Sequence, residues 1–545
     1  MNSSSAAQAA GGIPDPIEAG LAAGWRVLDA STLEGDRVFE ADVVVIGSGA
    51  GGGVTAEILS AAGLKVIIVE EGALKSSRHF KMREADAYPA LYQESAARKT
   101  KDKAINILQG RTVGGSTTVN WTSSFRTPEG TLAYWGKHFG LKGYSAEAMA
   151  PWFEMMERRL SVGAWTAPPN ENNDLLRRGA ERLNIPVAAI RRNVKGCWNL
   201  GYCGMGCPTN AKQSMLVTTI PAALAHGATL LTRTRAERFF FKGDKVERLL
   251  CMALDAGGLA PSGRRLTLRA RHFVVAGGAI NSPALLMRSL APDPHGLLGK
   301  RTFLHPTVIS AGLFEQRVDG YAGAPQTIYS DHFLQTQAID GPIGYKLEAP
   351  PLHPLLLSTT MAGFGNEHAA MMRQFAHTHA LLALLRDGFH AEAPGGSVAL
   401  GAGGAAVLDY PISGFIWDGV RRALLSMAEI QFAAGAQSVY PVHEMARGYT
   451  TWAEARKGIA ALPYKALLTR VVSAHVMGGC ALSDDTRLGV TGADGRYHGV
   501  ANLSVHDGSL FPTSIGANPQ LSIYAVAARL ASGLAQALAA RPAPA

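Results

Sequence analysis

Short, mostly aliphatic runs separated by glycine turns open this chain. Ala41–Ile46 and Leu64–Val69 have the length and content of strands buried on both faces. Between them lies a glycine-rich turn and a helical stretch, Val54–Ala62, which Gly63 ends. Strand, helix and strand in that order predict a βαβ unit. Upstream, a polar tail leads into a short helix around Ile17–Ala23. Leu230–Gly243 and Arg265–Ala276 read as strand-rich. Residues 311–470 change character, with apolar loops such as Pro354–Leu357 and Ala380–Leu385. From Ala474 glycine motifs return, and an amphipathic helix at about Gln520–Leu538 follows. No repeat of fixed period is present.

At 545 residues the chain is too long for one core, so two or more domains are expected. Apolar residues at 47% against 17% charged exclude a disordered chain. The net charge of +9 comes without any long Lys/Arg block or aromatic-basic array, so it reads as general solubility charge and no nucleic-acid partner is expected. Five cysteines, an odd number with three clustered, argue against a secreted disulfide scaffold. The N-terminus has no basic, apolar signal pattern, and no apolar run is long enough to span a bilayer. The expected location is cytoplasmic, with room for peripheral contact at a membrane.

Gly47-Ser48-Gly49-Ala50-Gly51-Gly52 is a GxGxxG turn between a strand and a helix. Gly47 permits the tight turn, Gly49 lets a pyrophosphate approach the backbone, and Gly52 lets helix and strand pack closely. Glu70 closes the next strand, where a carboxylate can accept ribose hydroxyls. Spacing alone does not separate FAD from NAD. A second small-residue loop, Gly110 to Asn120 with Gly114, Gly115 and Ser116, can lie flat against a ring system or form a tight turn.

The order of motifs is more specific. After these two loops come Gly277-Gly278-Ala279-Ile280-Asn281-Ser282-Pro283, then Ser473-Ala474-His475, then Asn502 to Gly508 with Asp507, then Asn518-Pro519. This series resembles the glucose–methanol–choline (GMC) oxidoreductases across about residues 41–535. The resemblance implies a mixed α/β fold, α+β overall: a Rossmann-like FAD-binding domain with an inserted substrate domain on an antiparallel sheet. It implies an FAD-binding part at residues 41–140, 215–310 and 471–545, after a tail at 1–40. The substrate domain and cysteine loop then fall at 141–214 and 311–470. Gly47, Gly49, Gly52 and Glu70 would hold the ADP half of FAD. Gly114, Gly115, Ser116 and Asn120 would lie along the flavin, and Asp507 and Gly508 at the pyrophosphate–ribityl region.

The implied reaction is oxidation of an alcohol CH–OH group, with hydride passing to the flavin and His475 taking the hydroxyl proton. Asn518 stands where other members have His. An amide orients but is no base, so His475 is expected to be the sole imidazole at the centre. His305 matches a family turn without assigned chemistry, and His498 and His506 read as surface or supporting residues. Cys197, Cys203 and Cys207 depart from most sugar and choline members. Their spacing is similar to that of iron–sulfur-bearing flavin subunits, which would imply a 3Fe-4S cluster; a reduced structural loop is the other reading. A cysteine-rich stretch here also resembles the long-chain alcohol oxidase branch. With the apolar loops, it favours hydrophobic alcohols over sugars. A sugar or polyol dehydrogenase and a non-redox flavin lyase stay open as alternatives. So does the electron acceptor: oxygen, a quinone or a cytochrome.

Overall fold

In the computed structural model, which describes residues 13–540, two sheets meet along one cavity. The first sheet runs in the order Arg26–Asp29, Thr229–Thr232, Val66–Val69, Arg37–Ile46 and Pro261–Val275, all parallel. Leu503–Val505 adds in parallel beside the end of Pro261–Val275, and the antiparallel pair Thr234–Lys242 and Lys245–Leu254 extends the other end. The strand Arg37–Ile46 begins earlier than its aliphatic run. Its polar first half pairs with Leu266–Ala270 as an exposed ribbon, and only Val43–Ile46 enters the core. Helix Ala50–Ala61 follows it, as the glycine turn predicts.

Helix Gln520–Ala539 packs on Ala50–Ala61 and Ala146–Arg159. Its length and mean hydropathy match those of a membrane span, yet 56% of its most apolar window is buried within the protein. It is better described as a core helix than as an amphipathic surface one.

The second sheet is ordered Ile105–Ile107, Val471–Ser473, Thr307–Leu313, Thr378–Leu385, Tyr345–Glu348, Ile328–Ser330 and Ala188–Ala189. Its centre is antiparallel. Alternate residues face opposite ways. Val308, Leu381, Ala383 and Leu385 join the cluster that includes Val420, Leu424 and Met427 of helix Gly414–Ala434. Ile309, Ala380, Leu382 and Leu384 form a separate apolar layer on the other side, toward the cavity.

Two segments expected as apolar loops are regular structure. Thr378–Leu385 is a central strand with every residue buried, and a strand buried on both faces shows no polar alternation to read. Pro354–Thr360 is a helix with proline at its first position. Ile105–Ile107 and Val471–Ser473, placed by sequence in the FAD-binding part, hydrogen-bond into the second sheet. They stitch the two layers together.

Candidate active site

A cavity of about 890 Å³ runs from the carboxyl ends of the parallel strands, at Ile46, Val69 and Val275, to the apolar layer of the second sheet. The mouth of a parallel sheet is where doubly wound folds bind ligands.

At the sheet end, Gly47 adopts φ +102°, and a Cβ there would lie 2.3 Å from the Ala276 carbonyl oxygen. A Cβ on Gly52 would lie 1.9 Å from the Gly47 oxygen, so helix and turn touch. Gly49 is different: a Cβ there meets only the Gly115 Cα, at 3.8 Å, and otherwise points into open space. The glycine keeps a cradle empty at the N-terminus of helix Ala50–Ala61, where free N–H groups favour phosphate. The Glu70 carboxylate is buried at the cavity wall, accepting bonds from Ser48 N (3.1 Å), Ser48 Oγ (2.6 Å) and Gly72 N (2.7 Å). Burial pushes its pKa up, against those bonds. A narrow backbone cradle ending on a buried carboxylate fits the ADP half of FAD.

The second loop sits against the first. The Ser48 hydroxyl also accepts from Gly114 N at 3.0 Å, so one side chain ties Glu70 to the small-residue loop. Gly114 and Gly115 are both left-handed, at φ +87° and +53°, and Ser116 Oγ accepts from Gly110 N at 2.9 Å. Asn120 donates to Gln520 Oε1 at 2.6 Å, joining this loop to the C-terminal helix. Asp507 and Gly508 line the cavity. The Asp507 carboxylate accepts from Gly278 N (2.8 Å), Ser282 Oγ (2.5 Å) and Ser509 N (2.8 Å), which fixes the Gly277–Ser282 turn.

At the other end, strand Val471–Ser473 delivers His475, and the start of the C-terminal helix delivers Asn518; both line the cavity. His475 is not alone. Its Nδ1 lies 3.1 Å from Nδ1 of the fully buried His305, which corrects the expectation of a sole imidazole. One ring must donate and the other accept. If His475 Nδ1 carries the shared hydrogen its Nε2 is an acceptor, and if His305 Nδ1 carries it His475 Nε2 is a donor; no protein group occupies His475 Nε2 among the described residues. Burial, reinforced by the Lys346 cation, holds the His475 pKa down to about 3, so the ring is neutral.

His305 itself stands at φ +49°, a conformation unusual for a side chain of its size. Asp387 holds it there. Its carboxylate accepts from His305 N (3.1 Å), Leu304 N (3.2 Å) and the Tyr410 hydroxyl (2.6 Å).

Sequence reasoning missed the polar group behind Asn518. Lys346 Nζ lies 3.2 Å from Asn518 Oδ1 and 3.0 Å from Glu348 Oε1, and Asn518 Nδ2 donates to Glu348 Oε2 at 3.2 Å. Lys346 and Glu348 are buried, two apart on one strand, and so share a face. Gln326 also donates to Glu348. The available signal was a charged Lys-x-Glu within an otherwise apolar stretch. His506, expected at the surface or in support, is buried and pairs with Thr55 Oγ1 at 2.9 Å.

The cysteine loop does not form a metal-holding group. Among the described residues no cluster of three or more His, Cys, Asp or Glu side chains does so. Cys197, Cys203 and Cys207 are half-buried free thiols, each turned to its own partner. Cys197 accepts from Asn199 N, Cys203 faces Arg192, and Cys207 accepts from Lys212 N. The buried Lys212 ammonium instead bonds the Cys203 and Asn120 carbonyls at 2.7 and 2.9 Å, so the cysteine loop braces the Gly110–Asn120 loop. The 3Fe-4S expectation is set aside on this geometry.

Residues 88–307 and 404–527 match the GMC oxidoreductase family, and residues 42–109 match an FAD binding domain. An uncharacterized GMC-type oxidoreductase of Mycobacterium tuberculosis is 30% identical, over 92% of this chain and 76% of its own. A long-chain-alcohol oxidase of Arabidopsis thaliana is 27% identical, over 90% of this chain and 67% of its own. Among solved structures, a formate oxidase shares the fold with a TM-score of 0.67 at 15% identity, covering 93% of this chain and 99% of that one.

Proposed function

The chain belongs to the GMC oxidoreductase family, an FAD-dependent alcohol oxidoreductase by that kinship, and from this premise we propose that it oxidises apolar alcohols with His475 as the base. The observation that carries the reading is an imidazole with a free Nε2 in the cavity that also holds the dinucleotide cradle. Bound FAD supplies the two-electron acceptor for the hydride leaving the carbinol carbon. Gly47, Gly49, Gly52 and Glu70 would hold its ADP half, while Gly114, Gly115, Ser116 and Asn120 would lie along the flavin. Asp507 and Gly508 shape the segment between them.

The remaining chemistry belongs to the protein. In this reading His475 Nε2 accepts the hydroxyl proton, which requires the hydrogen shared with His305 to sit on His475 Nδ1. Asn518 holds the hydroxyl. Trp121, Ile309, Leu352, Leu356, Met361 and Leu382 line the cavity beyond them, and they offer an alkyl chain burial at about 0.8 kcal/mol per methylene. That lining, with the kinship to long-chain-alcohol oxidases, supports an apolar substrate.

The test is anaerobic flavin bleaching across a series of straight-chain primary alcohols and sugars. Bleaching should quicken with chain length. Faster bleaching by sugars overturns the substrate class, and a flavin left yellow by every alcohol favours a lyase. Adding oxygen or a quinone to the bleached enzyme then identifies the electron acceptor.

A further inference from the structure

We propose that the buried Lys346–Glu348 pair locks the Asn518 amide as a hydrogen-bond donor toward the substrate hydroxyl oxygen, leaving the hydroxyl's own hydrogen to His475. The inference rests on the alcohol-oxidation reading above and deepens it. Lys346 and Glu348 do not line the cavity, whereas Asn518 does; they are positioning residues that act through it.

The argument begins with what each group can do. An ammonium only donates, and a carboxylate only accepts. Lys346 Nζ sits 3.2 Å from Asn518 Oδ1, and Glu348 Oε2 sits 3.2 Å from Asn518 Nδ2. Turning the amide over would set its NH₂ against the ammonium and its carbonyl against the carboxylate. Both contacts would then repel, so the pair permits one orientation. Nδ2 carries two hydrogens, and Glu348 takes one. The other has no protein acceptor among the described residues. A substrate oxygen in the cavity can take it.

The proton balance follows. The O–H bond breaks, its proton goes to His475 Nε2, and the electron pair stays on oxygen. The charge gathering there is met by the Asn518 N–H. The ammonium on Oδ1 polarises the amide in the direction that strengthens this donation. The pair is itself held in place. Gln326, at φ +48°, donates to Glu348 while its Oε1 accepts from Ser123 Oγ at 2.9 Å. Lys346 Nζ lies 2.9 Å from the Phe125 ring centroid and 4.5 Å from that of Tyr329. A buried ion pair is weak evidence for a stabilising role, because desolvation offsets its attraction. Orientation is the role left to it.

The ionisable groups facing Lys346 are Glu348 on its own strand, Tyr329 and Asp331 from the neighbouring segment, and His305 and His475 across the centre. Burial brings the Lys346 pKa down to about 8, against the pull of Glu348.

The experiment compares the holoenzymes of wild type, Lys346→Met, Lys346→Met/Glu348→Leu and His475→Ala. Stopped-flow flavin reduction by the best alcohol is read beside thermal melting. Lys346→Met should lower the limiting reduction rate by about 10–100-fold, the loss of one charge-assisted hydrogen bond in the transition state. It should also melt lower, with a charge left unpaired. In the double variant both charges are gone, so stability should return while reduction stays slow. Reduction restored to within about twofold of wild type in the double variant would overturn the inference. Wild type supplies a second arm if the double variant does not fold. Its reduction rate should fall above about pH 8 as Lys346 loses its proton, and a rate that stays flat well above that pH overturns the inference. Wild-type reduction in His475→Ala sinks the base assignment beneath it. A slow His475→Ala with a restored double variant sinks this inference alone.

Discussion

At the nucleotide end of the cavity, Gly47, Ser48, Gly49 and Glu70 come from one βαβ stretch, and backbone shape decides what fits. At the other end, where the proposed base lies, His305, Lys346, Glu348, His475 and Asn518 come from separate segments, and side-chain charge and hydrogen bonding decide. The first region tolerates no added atom at its contacts. The second tolerates changes of shape better than changes of charge. Damage at one should therefore show first in folding or in FAD retention, and damage at the other first in the rate of flavin reduction.

The sharpest way to break that contrast is inside the glycine turn. A Cβ on Gly51 would lie 1.5 Å from the His506 carbonyl oxygen, within the packing of helix against strand. Gly51→Val should abolish the folded flavoprotein. Gly49→Val instead meets open space in the apoprotein, so the chain should fold, melt near wild type and lose FAD. Equal melting of the two apoproteins would erase the distinction between packing glycines and cradle glycines.

Next in size is His475→Ala. It should keep bound FAD and slow flavin reduction by about 10²–10⁴. A variant that loses its flavin would show that the end holding the proposed base is not separable from the nucleotide end.

Ser48→Ala tests the side chain that ties Glu70 to the small-residue loop. It leaves the buried Glu70 carboxylate and Gly114 N without that partner. The cost should be about 1–3 kcal/mol, read as weaker FAD retention on dilution or chaotrope titration, with the reduction rate nearly unchanged. A loss confined to the reduction rate would contradict this.

A further effect, on stability rather than on one site, is shared by both ends. His272 and His506 near the parallel sheet, and His379 and His475 near the second, are held by burial at pKa values of about 3, against an ordinary 6.5. Between those values the unfolded chain binds protons that the native chain does not. Stability should be full above about pH 6.5 and fall steadily as pH drops toward 3. Thermal melts over that range check it; a flat profile would mean that these rings are not neutral in the fold.

The same contrast explains what was legible in the sequence. The GxGxxG turn, Glu70 and the small-residue loop are local patterns, and the βαβ unit within the first sheet followed from them; strands Arg26–Asp29 and Leu503–Val505 did not. His475 and Asn518 were found through motif order. His305 was noticed without a role, because its partner lies 170 residues away. Lys346 and Glu348 were passed over because only the folded sheet brings them to Asn518. Thr378–Leu385 was misread because burial on both faces erases the alternation by which strands are recognised. The cysteine spacing suggested a cluster, but the folded loop turns each thiol to a separate neighbour.

Strand Leu503–Val505 fills a slot beside Pro261–Val275, and Asp507 then reaches back to Ser282, 225 residues earlier. On the ribosome, at about 5–20 residues per second, that slot waits on the order of 10–45 s for its last strand. Asn518 and helix Gln520–Ala539 emerge later still. A nascent chain can thus lay down most of both sheets before Asp507 and Asn518 are in place to complete the cavity wall.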